Sequence, residues 1–192
     1  MPAWQTSLQT PRLALRPAGL QDATALLDYR LRNRERLQAW EPERAPAFFT
    51  LAAAEAQLHE QADQMQNGSA LHLLFSLQNQ PAAIAGICSF TNIIRGPFQA
   101  CHLGFSIDAA SEGQGLMHEA LACALAVVFN ELHLHRVMAN HHPENLRSAR
   151  LLAKLGFERE GLARAYLHIN GVWADHVLTS RVNDRYVHTT PA

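Results

Sequence analysis

The chain has 192 residues, 48% of them hydrophobic, which suits one globular domain with a sizeable core. Sixteen Lys and Arg against seventeen Asp and Glu leave a formal net charge of -1, which excludes a protein that holds nucleic acid by bulk phosphate neutralisation. No apolar run approaches the roughly 20 residues of a membrane span, and the first dozen residues lack the apolar stretch of a secretion signal, so a cytoplasmic location away from membranes is expected.

In chain order, RLALRP (12–17) alternates Leu13 and Leu15 with charged neighbours, the period of a short half-buried strand ending at Pro17. Asp22 is a candidate cap for a helix pair through ATALLDYRLRN and RERLQAW, which Pro42 stops. Thr50 then precedes LAAAEAQLHEQADQMQ, a third helix closed by Asn67 and Gly68. After residue 70 the texture becomes that of strands. ALHLLFSLQ, AAIAGICSFTNI and FQACHLGFSID, separated by NQP and RGP, predict a three-stranded antiparallel meander. Leu116, Met117, Ala120, Leu121, Ala124, Leu125 and Val128 recur at helical spacing behind the glycine pair Gly113 and Gly115, and HRVMANH follows as a strand, which makes a crossover unit. NLRSARLLAKLGF is an amphipathic helix closed by Gly156. REGLARAYLHI and VWADHVLTSRV form a hairpin around Asn170-Gly171, and NDRYVHTTPA reads as a frayed end. Cys88, Cys101 and Cys123 are odd in number and lie in apolar stretches, so buried, reduced thiols are expected.

A G-x-G pair arises by chance in roughly one of two chains with this glycine content, so the surroundings must give it meaning. Here it opens a helix, where converging amide groups and the helix dipole suit a phosphate. A dinucleotide-binding loop is disfavoured because His118 stands where its third glycine would be. Five separated stretches carry a resemblance: NRERLQAWEP (33–42), SFTNIIRGPFQACHLGFSID (89–108), GQGLMHEAL (113–121), HRVMANHHPENLRSARLLAKLGFEREG (135–161) and INGVWADHVLTS (169–180). With the element order, they resemble the GNAT superfamily of N-acetyltransferases, in its RimJ/RimL branch of ribosomal-protein-alanine N-acetyltransferases and nearer the RimJ group.

The resemblance implies an α+β GNAT fold, a mostly antiparallel twisted sheet of about seven strands flanked by helices. It implies one domain over residues 1–192 with its core at about 10–183. It implies acetyl-CoA as co-substrate without a metal, and direct acetyl transfer in a ternary complex to the N-terminal alanine amine of a ribosomal protein. Nucleic acid and membrane are not expected partners, and monomer or dimer is left open. The family pattern Q/R-x-x-G-x-G/A begins here with Ala110, which leaves the pyrophosphate to the loop Glu112, Gly113, Gln114, Gly115, Leu116 and Met117. Phe105, Ser106 and Ile107 correspond to residues that pair with the pantetheine arm like an added strand. By the resemblance Asn145 holds that arm and Ser148 faces the CoA sulfur. On spacing alone Asn145 is equally an N-cap and Ser148 a first-turn serine.

An α-amine with a pKa of about 7.7–8.0 must shed a proton before it attacks a thioester. Glu41 and His102 are the candidate bases. Glu41 with Glu43 could instead bind the substrate ammonium. Trp40, Trp173 and Tyr166 are candidates for the acceptor groove, with packing the alternative for each. Cys101 and His102, adjacent on a strand, face opposite sides and form no nucleophilic pair. His133, His135, His141 and His142 lack the companions of a metal set. Two alternatives remain at this stage: an acetyltransferase for another peptide or a small amine, and a non-catalytic acyl-CoA sensor.

Overall fold

The computed structural model describes residues 7–186. Its strands are β1 (Leu8–Gln9), β2 (Leu13–Pro17), β3 (Leu71–Leu77), β4 (Gly86–Ile94), β5 (Ala100–Ile107), β6 (Arg136–Met138), β7 (Glu158–Ile169) and β8 (Val172–Val182). Its helices are α1 (Ala23–Gln38), α2 (Leu51–Gln66), α3 (Leu116–Asn130) and α4 (Leu146–Lys154). The strands form one sheet in the order β1-β2-β3-β4-β5-β6-β8-β7. Every neighbouring pair is antiparallel except β5 and β6. That parallel pair requires a crossover, and α3 supplies it, as the strand, glycine loop, helix and strand pattern predicts.

Helices cover both faces. On one, the apolar stripe of α3 packs on Leu13, Leu15, Leu73, Phe90, Cys101 and Val137, joined by Leu152 and Leu155 from the α4 end. On the other, Leu26 and Tyr29 of α1 and Ala54 and Leu58 of α2 meet Leu74 and Ile84. Residues directly opposite in antiparallel strands share a face, so the pairs Ile87–Ser106, Ser89–Gly104 and Thr91–His102 all look toward α1 and α2. Cys101, one residue from His102, is fully buried on the α3 side, where burial pushes its thiol up to about 12. The Cys-His pair is thereby excluded.

Most elements match the sequence expectations. Thr50 caps α2 by accepting from the Ala53 amide at 3.3 Å. The Asn170-Gly171 hairpin turn has φ of 45° and 83°, a combination that suits a two-residue hairpin. Five details differ. The sheet has eight strands rather than about seven, because β1, two residues long, is too short to show periodicity. The expected helix pair before Pro42 is one helix that stops at Gln38. Proline disfavours the helical conformation at the preceding Glu41, whose carbonyl accepts from the Asn170 amide at 3.2 Å. Asp22 does not cap α1; its buried carboxylate accepts from the Gly19 amide and from both terminal nitrogens of Arg16. Cys123 is only partly buried. At the end expected to fray, the Asn183 amide donates to the His135 carbonyl at 2.8 Å and the Tyr186 ring meets the His135 ring edge to face, centroids 5.1 Å apart. The rest of that segment, 187–192, lies outside the described residues. Among the described residues no helix is long and apolar enough to cross a membrane.

Candidate active site

The parallel ladder between β5 and β6 spans only three pairs, ending at His102 opposite Met138. Beyond it β5 continues with β4 as far as Ile107 opposite Gly86, whereas the chain after Met138 follows β8. Ala139 donates to the Thr179 carbonyl at 3.0 Å and His141 to the Val177 carbonyl at 3.2 Å. The sheet therefore opens into a V, and from residue 103 onward the outer edge of β5 has no strand partner among the described residues. A cleft of about 1430 Å³ fills the opening. A free strand edge of this kind accepts an extended, amide-bearing chain by adding it to the sheet. Phe105, Ser106 and Ile107 line it.

At the end of β5 the chain turns into the glycine loop. Gly113 and Gly115 take φ of 73° and 76°, values that glycine adopts without strain, and Gly115 stands as the residue before α3. This twist leaves the amides of residues 113 to 118 without acceptors among the described residues, while Glu112 spends its amide on the Ala109 carbonyl. A Cβ at Gly113 would meet nothing within 4 Å, so the space in front of it is open. Glu112, Gly113, Gly115, Leu116 and Met117 line the cleft, joined by His118. Gln114 does not: its side chain turns back to the Ala110 carbonyl at 2.9 Å. Its place in the expected cradle is therefore reduced to its amide.

The loop is braced by α1, whose residues 29, 33 and 36 share one face. Tyr29 donates to the Ser106 hydroxyl at 2.8 Å, and burial raises the Tyr29 phenol so that it stays protonated. Asn33 donates to Asp108 at 3.0 Å and accepts from the Ala109 amide at 3.0 Å. Arg36 donates to the Ile107 carbonyl and pairs with Glu112 at 2.5 Å. Arg147 of α4 holds the other Glu112 oxygen. From the opposite side Arg12 donates to the Gln114 carbonyl at 2.8 Å and pairs with Glu119 of α3.

Across the V, Asn145 precedes α4 and accepts from the Ser148 amide through Oδ1 at 3.1 Å. The cap reading of Asn145 is thus realised, and its Nδ2 has no acceptor among the described residues. The Ser148 hydroxyl likewise makes no hydrogen bond there. Both residues line the cleft, as do Arg147, Arg150 and Lys154, spaced to share one face of α4. Free amides at α3, cations on α4 and an open strand edge together fit a polyanionic ligand with an amide-bearing arm.

Glu41 lines the same cleft from the turn after α1. Burial lifts its carboxyl above the ordinary carboxylate range, an effect that Arg44, Arg36 and Arg30 partly offset. Trp40 lines the cleft as well and lies 5.9 Å from the His142 ring. Tyr166 and Trp173 do not line it. Tyr166 accepts from Asn140 at 3.3 Å, and Trp173 is 67% exposed near the hairpin turn. His102 shares a sheet face with Gly104 and Ser106 but sits on the closed side of the V, where β6 is still paired, and does not line the cleft. Among the described residues no group of three or more His, Cys, Asp or Glu could hold a metal ion.

The profile of the acetyltransferase (GNAT) domain family matches residues 12–158. The chain belongs to the GNAT acetyltransferases. This GNAT enzyme is 43% identical over 174 residues to the [ribosomal protein uS5]-alanine N-acetyltransferase of Escherichia coli K12, covering 90% of the chain and 89% of that relative. Its structure superposes on the ribosomal-protein-S5-alanine acetyltransferase of Vibrio fischeri with a TM-score of 0.91 and 37% identity, over 95% of this chain and 100% of that one. It also superposes on Mycobacterium smegmatis RimJ in complex with CoA-disulfide, with a TM-score of 0.88 and 26% identity, over 97% and 91% of the two chains. Acetyl-CoA is the co-substrate of this GNAT enzyme.

Several cleft residues escaped the sequence reading. Arg36 and Arg147 reach the loop from segments 76 and 35 residues away, a distance no local pattern spans. His142 and His176 line the cleft with ring centroids 6.3 Å apart. The alternation of β8 puts Ala174 and His176 on its buried side and offered a signal for His176.

Proposed function

We propose that this chain acetylates the N-terminal alanine α-amine of a ribosomal protein, in the cytoplasm, by direct attack on acetyl-CoA. The observation that carries the reading is the likeness, over nine-tenths of the chain, to the uS5-alanine enzyme of Escherichia coli. The cleft supports it from the chemical side. The amides of 113 to 118 take the pyrophosphate, the β5 edge and Asn145 Nδ2 take the pantetheine arm, and the acceptor enters from the Glu41 side.

At neutral pH most of an α-amine with pKa about 7.7–8.0 carries an extra proton. Glu41, desolvated and therefore a better base than a solvated carboxylate, takes that proton directly or through a water. The nitrogen lone pair attacks the thioester carbonyl, and as the C–S bond breaks the Ser148 hydroxyl gives its proton to the departing thiolate and takes back the surplus proton of the new N–C bond's nitrogen, while Glu41 returns its proton to water. The products are the N-acetylated chain and CoA thiol. Tyr29, Arg36 and Asn33 act by holding the loop and the β5 edge in register.

The test is a thiol-release assay over a panel of N-terminal peptides, followed by mass mapping of the modified amine. Release with alanine-starting ribosomal peptides and acetylation at their α-amine is the expected result. Release only with small amines or internal lysines would overturn the acceptor. Binding of acetyl-CoA without release against any amine would leave a coenzyme sensor.

A further inference from the structure

A row of polar side chains crosses the sheet on the α1 and α2 face and ends in the cleft. His72 of β3 pairs in register with Ser89 of β4, and Ser89 with Gly104 of β5. His72 is 5% exposed, whereas Ser89 is half-buried and lines the cleft. Gly104 also lines it, and a Cβ there would meet nothing within 4 Å, so the space beside Ser89 is open.

The proton positions along the row follow from its partners. Gln64 of α2 donates its Nε2 to Glu60 at 3.0 Å, which turns its Oε1 toward His72 Nε2 at 2.8 Å. An amide oxygen only accepts, so Nε2 carries the ring hydrogen and Nδ1 is bare. Ser89 Oγ lies 3.0 Å from Nδ1 and therefore donates its hydrogen to it. Burial pushes His72 down to about 4, so the ring stays neutral and Nδ1 stays bare at ordinary pH. A hydroxyl whose hydrogen is committed in this way offers only lone pairs to its other side. That other side is the cleft, where no donor among the described residues meets it.

We infer that Ser89 Oγ accepts a hydrogen bond from the N–H of the acceptor's terminal amine above Gly104, and that His72 is the positioning residue that fixes the hydroxyl for it. The inference rests on the reading of the cleft as the acceptor site of an acetyltransferase. It makes Ser89 a specificity residue for acceptors that end in a free amine. Neither residue needs to take part in proton transfer.

The experiment measures binding of a short alanine-starting peptide to the full chain loaded with CoA, by calorimetry, against the same peptide with hydrogen in place of the terminal amine. The wild-type chain is expected to prefer the amine peptide at least tenfold. Ser89→Ala should lose fivefold or more of the affinity for the amine peptide and none for its analogue, with acetyl-CoA affinity unchanged. His72→Leu should copy that loss, and His72→Asn, whose Oδ1 stands near the place of Nδ1, should recover most of it. Equal losses for both peptides, or none, in folded Ser89→Ala would overturn the inference, as would His72→Asn behaving like His72→Leu. Because the readout is binding, amine-selective loss in a chain that transfers no acetyl group would sink the enzymatic reading and keep Ser89 only as the amine-binding residue of a non-catalytic cleft. Acetylation with undiminished amine preference in Ser89→Ala would do the reverse.

Discussion

Glu41 is held where its ionised form is disfavoured, chiefly by burial, and that cost sits beside the opening the acceptor must use. A carboxyl whose folded pKa is raised favours the fold most at pH below its unfolded value and loses that advantage as pH rises through its folded value. Glu41→Gln removes the ionisation, so the variant should melt higher than wild type at neutral pH while losing about 10²-fold or more in kcat. Thermal melts and steady-state rates at pH 7 check both halves; a variant that keeps its rate would leave Glu41 a binding residue for the ammonium. At α4 two neighbours separate by kinetic signature. Ser148→Ala should lower kcat and kcat/KM together, by about 10-fold to 10³-fold, because its hydrogen bond strengthens as charge grows on sulfur. Asn145→Asp keeps the oxygen that caps the Ser148 amide but removes the Nδ2 donor. It should melt like wild type and raise the KM for acetyl-CoA with little change in kcat, whereas Asn145→Ala should also lose about 1 kcal/mol of stability with the cap.

At the scale of elements, the glycine loop and α3 act as one anion-binding unit whose geometry depends on Gly115 at φ 76°. Gly115→Ala forces a side chain into the left-handed region at a cost of about 1–2 kcal/mol. Its Cβ would meet only Arg12 Nη2 at 3.6 Å, so the fold survives. The expected result is a Kd for acetyl-CoA at least tenfold weaker by calorimetry, with a modest drop in melting temperature; unchanged affinity would remove the loop from the coenzyme site. This unit was legible in the chain because the glycine pair, the helical period and the following strand are all local signals. So was the hairpin at Asn170-Gly171, where two residues dictate the turn. The end of α1 was legible only in part: Pro42 announces a stop, but the helix already ends at Gln38, and the turn that follows is tied at the Glu41 carbonyl by the Asn170 amide from far along the chain. Asp22 misled because a cap residue by type is here drawn off by the Arg16 side chain six residues before it.

Across the whole molecule, what the sequence could not reveal is where the sheet parts. His102 and Ser106 alternate on one face and read as equivalent. The break after His102 opposite Met138 leaves one on the closed side and the other in the cleft. The buried polar row has a global consequence as well. His72 is depressed to about 4 from its usual value of about 6.5, so its contribution to stability is complete above the unfolded pKa and is lost as pH falls toward 4. Wild type should lose on the order of 2–3 kcal/mol between pH 6.5 and 4 from this group, and His72→Leu should flatten that slope in urea titrations taken at each pH. An unchanged slope would mean that another group governs acid stability.

The three-pair ladder between β5 and β6 also makes the molecule a book with a narrow spine. One leaf carries β1 to β5 and the other β6 to β8, and beyond those pairs the α3 crossover, the core it shares with Leu152 and Leu155, and the Arg147–Glu112 pair join them. A coenzyme lying along the free margin of β5 and reaching α4 touches both leaves at once.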